Sequence, residues 1–383
     1  MDTVKETTAQ TDRRRRLVVK IGSSTLTTSE SSIDYDYLDS LSAQIADLRE
    51  EGWDVVIVSS GAIASGLEAL GIKERPKDMP HLQAAASVGQ SALSAAYAKA
   101  FARFDITTSL VLLTRRDTAD REAYLHARDT LSTLLEMSVV PIVNENDTVS
   151  VEQIRFGDND TLAALVACLV DADLMVILSD IDGLYDANPQ TTPTAKLVSE
   201  VKRISRRVMD AAGGAGSVAG SGGMITKIRA ARVLMSAAIP MMIVNGRSEG
   251  IICAATRGED VGTRFISDKP AHEITPRKLW LALGDSPRGA VFVDEGARRA
   301  LIERGSSLLC VGITRVDSRF DADDVIDVKD AEGIVIARGR VGASSDEIEL
   351  ACGRSSEELD RNRILSRLAK TPVVHRDELV LFE

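Results

Sequence analysis

Aromatic residues are scarce in this chain: two tryptophans, five tyrosines and seven phenylalanines make up 4% of its 383 residues. The core therefore has to be built mainly from Ala, Val, Ile and Leu. Cysteine is rarer still. Cys168, Cys253, Cys310 and Cys352 lie far apart, and His81, His126, His272 and His375 are equally dispersed. That spacing suggests neither a disulfide framework nor a zinc site, and the thiols read as buried structural groups. Long apolar runs are also missing. The longest apolar region, residues 162–178, is interrupted by Asp171 and Asp173, short of the roughly 20 apolar residues a membrane span needs. The stretch from Met1 to Arg16 has arginines but no apolar centre, unlike a secretory signal, so a cytoplasmic location is expected. Positive charge is in deficit, with 46 Lys and Arg against 57 Asp and Glu for a net charge of −11. A generally basic nucleic-acid-binding surface is excluded by that balance. Any polyphosphate ligand must instead meet lysines, helix N-termini and backbone amides gathered at one place.

What is present is a two-part pattern. The first 265 residues alternate short β-rich runs with longer helical ones, the pattern of parallel strands with crossover helices. Strands are expected at 17–21, 55–58, 107–113, 139–143, 174–178 and 241–244, and helices near 36–51, 82–103, 122–135, 160–170 and 224–237. In such a sheet ligands sit beyond the carboxyl ends of the strands. The segments there are the polar, glycine-rich ones: Gly22-Ser23-Ser24, Ser59-Ser60-Gly61-Ala62, Asn144-Glu145-Asn146-Asp147 and Ser179-Asp180-Ile181-Asp182-Gly183. Their coincidence points to a single cleft. Asp268-Lys269-Pro270 and Thr275-Pro276 read as a linker. Beyond it, runs at 279–283, 291–293, 307–311, 325–328, 334–337 and 379–382 suggest a small, mostly β unit with one helix near 295–304.

Several residues have the chemistry of an anion site. Lys20 interrupts an apolar strand just before a small-residue turn, as a phosphate-binding lysine would, although a solvated edge strand would look the same. The GxxxxGK[ST] spacing of a P-loop is absent. Glycines from Gly213 to Gly223 run straight into Met224-Ile225-Thr226-Lys227, which brings amide donors, a helix N-terminus and a full positive charge together; a flexible linker is the alternative. Asp158, Asn159 and Asp160 precede an apolar helix. They either cap it or supply carboxylates that orient lysines or hold magnesium. Asp147 lies in a polar loop suited to an ammonium group, and Ser60 begins a helix suited to a carboxylate. Ser60 has no G-x-S-x-G elbow around it to make it a nucleophile. The run Arg13–Arg16 reads as a solvated tail, with a phosphate or RNA contact as the alternative.

Taken together, VVKIGSS at 18–24, VSSGAI at 58–63, GDNDTLAA at 157–164, SDIDGLYDANP at 179–189 and SGGMITK at 221–227 resemble the amino-acid kinase family. QAAASVGQ at 83–90 and NENDTVS at 144–150 are similar to its glutamate 5-kinase branch, and residues 277–383 resemble a PUA domain. The resemblance implies a three-layer αβα sandwich with a mostly parallel sheet, followed by a small mostly-β PUA-like domain. The bounds it suggests are a tail at 1–14, a catalytic domain at 15–266, a linker at 267–276 and the PUA domain at 277–383. It implies transfer of the ATP γ-phosphoryl group to the γ-carboxylate of L-glutamate, the first step of proline biosynthesis. A carboxylate nucleophile is already deprotonated at neutral pH, so no general base is needed.

By the same resemblance, Lys20 and Lys227 would act from opposite sides of the transferring group, with Asp160 holding them and Asp158 a lesser helper. Ser60, Asp147 and Asn159 would bind glutamate. Lys20, Ser179, Asp180 and the segment Ser221, Gly222, Gly223, Met224, Ile225, Thr226 and Lys227 would bind ATP, with Mg2+ held mainly by its phosphates. A homo-oligomer, dimer or tetramer, and feedback inhibition by proline are further expectations. RNA binding through the PUA domain is open, with nothing in this sequence to require it. Two other readings compete: a sister kinase acting on aspartate, N-acetylglutamate, carbamate or a nucleoside monophosphate, and an RNA-binding regulatory protein on an inactive kinase scaffold.

Overall fold

The computed structural model describes residues 13–28, 32–114, 121–149, 159–189, 191–213, 223–267, 278, 281–282, 287–362 and 365–382. Strand β1 (Arg15–Ile21) is apolar from Leu17 onward except at Lys20, as a strand covered on both faces must be. It lies in the middle of an eight-stranded sheet, with β2 (Trp53–Val58), β4 (Val140–Glu145) and β3 (Thr108–Leu113) on one side. On the other side come β5 (Leu174–Ser179), β7 (Met241–Asn245), β8 (Thr263–Phe265) and β6 (Glu200–Val201). All pairings are parallel except β7 with β8.

Alternation along β1 sends its side chains into two cores. Leu17, Val19 and Ile21 meet Leu38, Leu41, Ile45 and Leu48 of helix Tyr35–Glu50, and Leu93, Tyr97 and Phe101 of helix Met79–Ala102. Val18 faces the opposite way, toward helices Arg121–Glu136, Asn159–Leu169 and Met224–Ser236. Each buried aliphatic side chain contributes about 1.5–3 kcal/mol, so this three-layer arrangement supplies the core that the few aromatics do not. Helix Met79–Ala102 begins three residues before its expected start because the Asp78 side chain caps it, accepting from the His81 amide at 3.2 Å.

The short helix Ala62–Ala69 crosses helix Met79–Ala102 with backbones touching. A Cβ on Gly66 would lie 1.7 Å from the Ala85 carbonyl oxygen, and one on Gly89 1.7 Å from that of Ala62. Only glycine fits either position. The turn before this short helix needs the left-handed region too, with Gly61 at φ +93°.

The arginine run is not a solvated tail in its described part. Arg15 and Arg16 belong to β1. Arg13 pairs with Asp173 at 3.3 Å and Arg14 with Asp54 at 3.1 Å; the Arg15 guanidinium lies 4.1 Å from the Trp53 ring centroid, and Arg16 donates to the Val170 carbonyl at 2.8 Å. Residues 1–12, and all of the 267–276 linker except Ser267, lie outside the described residues.

A second, five-stranded sheet runs β10 (Ile313–Asp317), β9 (Gly289–Val293), β11 (Val325–Lys329), β12 (Val335–Val341), β13 (Val374–Leu381). Helix Glu295–Arg304 matches expectation, opened by the Asp294 side chain and closed by Gly305 at φ +59°. Three expectations fail here. Leu281 and Ala282 are helical, not part of a strand at 279–283. The strand expected at 307–311 gives way to a 3₁₀ turn over Cys310–Gly312, and the strand begins only at Ile313. Three further helices, Ser345–Ala351, Ser356–Asp360 and Ser366–Lys370, join the one expected. The first two open with capping boxes, Ser344 with Glu347 and Ser355 with Glu358. Of the four cysteines, Cys253 and Cys310 are buried but Cys168 and Cys352 only half so, and all are free thiols.

β13 joins the two units. Leu379 is buried in the core of the second unit, and Leu381 packs against it. Val380 is buried in the core of the first, where Phe382 packs with Leu281, Ala282 and Val325 nearby. Ser236, at the end of helix Met224–Ser236, donates to the Leu381 carbonyl at 3.1 Å, and the Arg232 guanidinium lies 5.6 Å from the Phe382 ring centroid.

Candidate active site

Asp160 is fully buried in the first turn of helix Asn159–Leu169, and two buried lysines converge on it. Lys20 Nζ, from β1, is 2.8 Å from Oδ1, and Lys227 Nζ, from the first turn of helix Met224–Ser236, is 3.3 Å from Oδ2. Thr226 also donates its hydroxyl to Oδ2 at 2.6 Å. Burial alone pushes such a carboxyl up, but the two ammonium charges and the hydrogen bonds from Lys20 and Thr226 outweigh it and hold Asp160 below the usual carboxylate range. Burial lowers Lys227, helped by the charge of Lys20 and opposed by Asp160. The result is one carboxylate between two cations, so the cluster carries a net positive charge inside a protein of net charge −11. Such a cluster is built to receive an anion whose charge spreads as it reacts.

The second group lies along the ends of β2 and β4. Asn159 donates its Nδ2 to the Ser59 carbonyl at 2.7 Å, to Ser60 Oγ at 3.0 Å and to Asn144 Oδ1 at 3.1 Å. Asn159 and Asp160 are adjacent, so this polar cluster adjoins the lysine pair. Ser59 shares a hydrogen bond of 2.9 Å with the hydroxyl of Tyr97, itself fully buried. Asp147 is half-buried, no cation contacts it among the described residues, and burial pushes it up to about 6 against the weaker pull of Arg75.

The third group follows β5. Ser179 is buried and donates to Asp180 Oδ1 at 3.2 Å, while Asp180 is exposed. A cavity of about 290 Å³ opens along the same chain segment, lined by Leu184, Asp186, Leu197, Val198 and Val208 among others. Gly223, Met224, Ile225, Thr226 and Lys227 form the start of their helix, with Gly223 exposed and the last two buried. Asp158, Ser221 and Gly222 lie outside the described residues. Of the ATP-binding set read from the sequence, Thr226 turns inward to Asp160 and to the Gly223 carbonyl at 2.7 Å.

Residues 15–245, more than half the chain, match the Amino acid kinase family. The chain belongs to that family. Residues 289–362 match the PUA domain. Among curated proteins, the glutamate 5-kinase of Geobacter sp. (strain M21) is 45% identical over 368 residues, covering 96% of this chain and 97% of its own. That of Syntrophotalea carbinolica is 46% identical over 367 residues, with the same coverage. Among solved structures, UMP kinase from Ureaplasma parvum aligns over 67% of this chain and 100% of its own, at 17% identity and a TM-score of 0.44.

In this amino acid kinase, sequence reasoning assigned no role to Tyr97 and named Gln90 and Asn144 only within the 83–90 and 144–150 motifs, yet all three hold the polar cluster from behind. Gln90 and Tyr97 sit on a helix that contributes no loop to the cleft. A further signal was a pair of polar groups, Gln90 and the Tyr97 hydroxyl, on the otherwise apolar buried face of their helix.

Proposed function

We propose that this amino acid kinase is a glutamate 5-kinase, transferring the γ-phosphoryl group of ATP to the γ-carboxylate of L-glutamate to give L-glutamyl 5-phosphate and ADP. The observation that carries this reading is the pair of buried lysines on Asp160, in a chain 45% identical to a glutamate 5-kinase along almost its whole length. The attacking γ-carboxylate needs no base. What remains is to align it with the phosphorus and to balance the charge spreading over the transferring oxygens. Lys20 and Lys227 do the balancing, and Asp160 keeps both ammonium groups in place between turnovers.

Ser60 and Asn159 hold glutamate, and Asp147, which no cation contacts among the described residues, takes its α-ammonium group. ATP lies across Ser179, Asp180 and the 221–227 segment, with its base directed to the cavity beside Leu184 and Leu197. Both carboxylate oxygens of Asp160 are occupied by ammonium groups, so Asp160 does not suit Mg2+. The residues fit an ion that arrives on the nucleotide, held by phosphates and water, where it would offset charge on the β- and γ-phosphates.

In this reading residues 15–266 form the kinase unit, 277–383 the PUA unit and 267–276 the linker, with 1–14 ahead of them. The protein works in the cytoplasm as a homo-oligomer and is feedback-inhibited by proline; size-exclusion chromatography and a proline titration test the last two points.

Hydroxylamine traps acyl phosphates as hydroxamates. An ATP- and magnesium-dependent signal is expected with L-glutamate and not with aspartate, N-acetylglutamate or carbamate. Lys20→Ala and Lys227→Ala should each lower kcat by at least roughly 100-fold, about 2.7 kcal/mol of transition-state stabilisation. Turnover near normal in either variant removes that lysine from the mechanism.

A further inference from the structure

Asp160 holds its two lysines unequally. Lys20 Nζ stands 2.8 Å from Oδ1, whereas Lys227 Nζ is 3.3 Å from Oδ2, longer than the roughly 2.7–2.9 Å usual for an ammonium on a carboxylate. The two oxygens differ in what else they accept. Thr226 also bonds Oδ2, at 2.6 Å, within the roughly 2.5–2.7 Å of a hydroxyl on a charged oxygen. A hydroxyl has a single proton to give, and Thr226 Oγ1 has a second acceptor in reach, the Gly223 carbonyl at 2.7 Å. That carbonyl already accepts the Thr226 backbone amide at 3.1 Å, and the carboxylate carries the charge, so the proton goes to Asp160. Thr226 is 4% exposed, which leaves little room for water to compete. The shorter bond to Oδ2 therefore belongs to a neutral group, and the cation beside it has the looser contact.

We propose that Thr226 is a positioning residue: its hydroxyl occupies Oδ2 of Asp160 so that Lys227 stays near yet free to move onto the transferring phosphoryl group, while Lys20 keeps its place on Oδ1. The inference rests on the reading of both lysines as charge-balancing groups given above. Breaking a buried ion pair in full contact is costly, because each charge loses its compensation away from water. A Lys227 locked onto Asp160 would have to give up that contact before it could follow charge onto the phosphoryl oxygens. A hydroxyl that takes part of the carboxylate's field lowers this cost without adding a charge of its own. Thr226 acts here through Lys227, and the nucleotide is left to that lysine and to the backbone amides of the 221–227 segment.

Thr226→Val keeps the shape of the side chain and removes the hydroxyl. In the hydroxamate assay its kcat should fall about 10- to 100-fold, as for a lost hydrogen bond to a charged group, with KM for ATP and for glutamate within about threefold. Thr226→Ser, which restores the hydroxyl, should recover most of the rate. The alkaline limb of kcat/KM for ATP reports the free enzyme, in which the charged groups that reach Lys227 are Asp160, Lys20 and Asp180. Without the competing hydroxyl Asp160 holds the Lys227 proton more firmly, so in Thr226→Val that limb should move to higher pH. Thr226→Ala carries the same expectation should the valine variant fail to fold. A limb that stays in place, a rise in KM for ATP that matches the loss of rate, a serine variant as slow as the valine one, or an unchanged kcat would overturn the proposal. If the unaltered protein gives no glutamate-dependent hydroxamate, the proposed function fails and the role of Thr226 fails with it; a normal signal there, with any of those results in the variants, sinks only the latter.

Discussion

Among the described residues, the charged groups of the cleft divide into those already in contact with an opposite charge and those that are not. Asp160 belongs to the first kind, since two buried ammonium groups meet its two oxygens. Asp147 belongs to the second. Its folded pKa, near 6, lies above the roughly 3.9 of an unfolded aspartate. The protonated form is therefore favoured by folding, and the stability this brings is complete below about pH 3.9 and lost as pH rises through 6. Asp147→Asn should accordingly raise the melting temperature of the ligand-free protein at pH 8 more than at pH 4.5. The same substitution removes the carboxylate proposed to meet the ammonium, so KM for glutamate should rise by at least about tenfold. In the unaltered enzyme kcat/KM for glutamate should fall as pH drops below about 6, following protonation of Asp147. A flat profile from pH 5 to 8, or a variant that melts no higher at pH 8, would remove Asp147 from this role.

Among the elements, the crossing of helices Ala62–Ala69 and Met79–Ala102 links two parts of the proposed glutamate site. One helix follows directly from Ser60, and the other carries Gln90 next to the contact residue Gly89. Gly66→Ala should cost at least about 2 kcal/mol in a denaturant titration, because the clash is with backbone and cannot be relieved by a rotamer change. It should also raise KM for glutamate, since the 59–62 turn has to move. Unchanged stability would mean that the crossing has slack that the 1.7 Å approach denies.

This crossing also marks where sequence reasoning stopped. The strands of the first unit and the polar loops beyond them were legible because apolar runs end sharply in Gly, Ser, Asn and Asp, and Lys20 stood out as the one charge in its run. Gln90, Asn144 and Tyr97 were not legible as a group, since their meeting depends on how a helix packs under the sheet. In the second unit, Leu308-Leu309-Cys310-Val311 reads as a strand by hydropathy, yet Leu309 and Val311 are exposed and the backbone turns there. The helices after residue 344 had a sequence signal, Ser-x-x-Glu at 344–347 and 355–358, hidden by their shortness.

At the scale of the molecule, the two units share apolar surface through β13, so they should melt together. A single calorimetric transition is expected for the unaltered chain. Val380→Asp, which puts a charge into the first unit's core from a strand of the second, should lower it and split it in two. One undivided transition in that variant would show that the contact carries little of the stability. The same strand also bears on how the chain finds its final arrangement. From Leu379 to Leu381 its residues are apolar on both faces, so a slip of one position would exchange one set of greasy side chains for another, and the hydropathy pattern does not forbid it. Register must then be read from the few polar fixtures, the Ser236 hydroxyl on the Leu381 carbonyl and the Arg340–Glu378 pair at 3.8 Å. The first of these belongs to the helix that carries Lys227 in its first turn, which makes the kinase unit a ruler against which the last strand of its neighbour is measured into place.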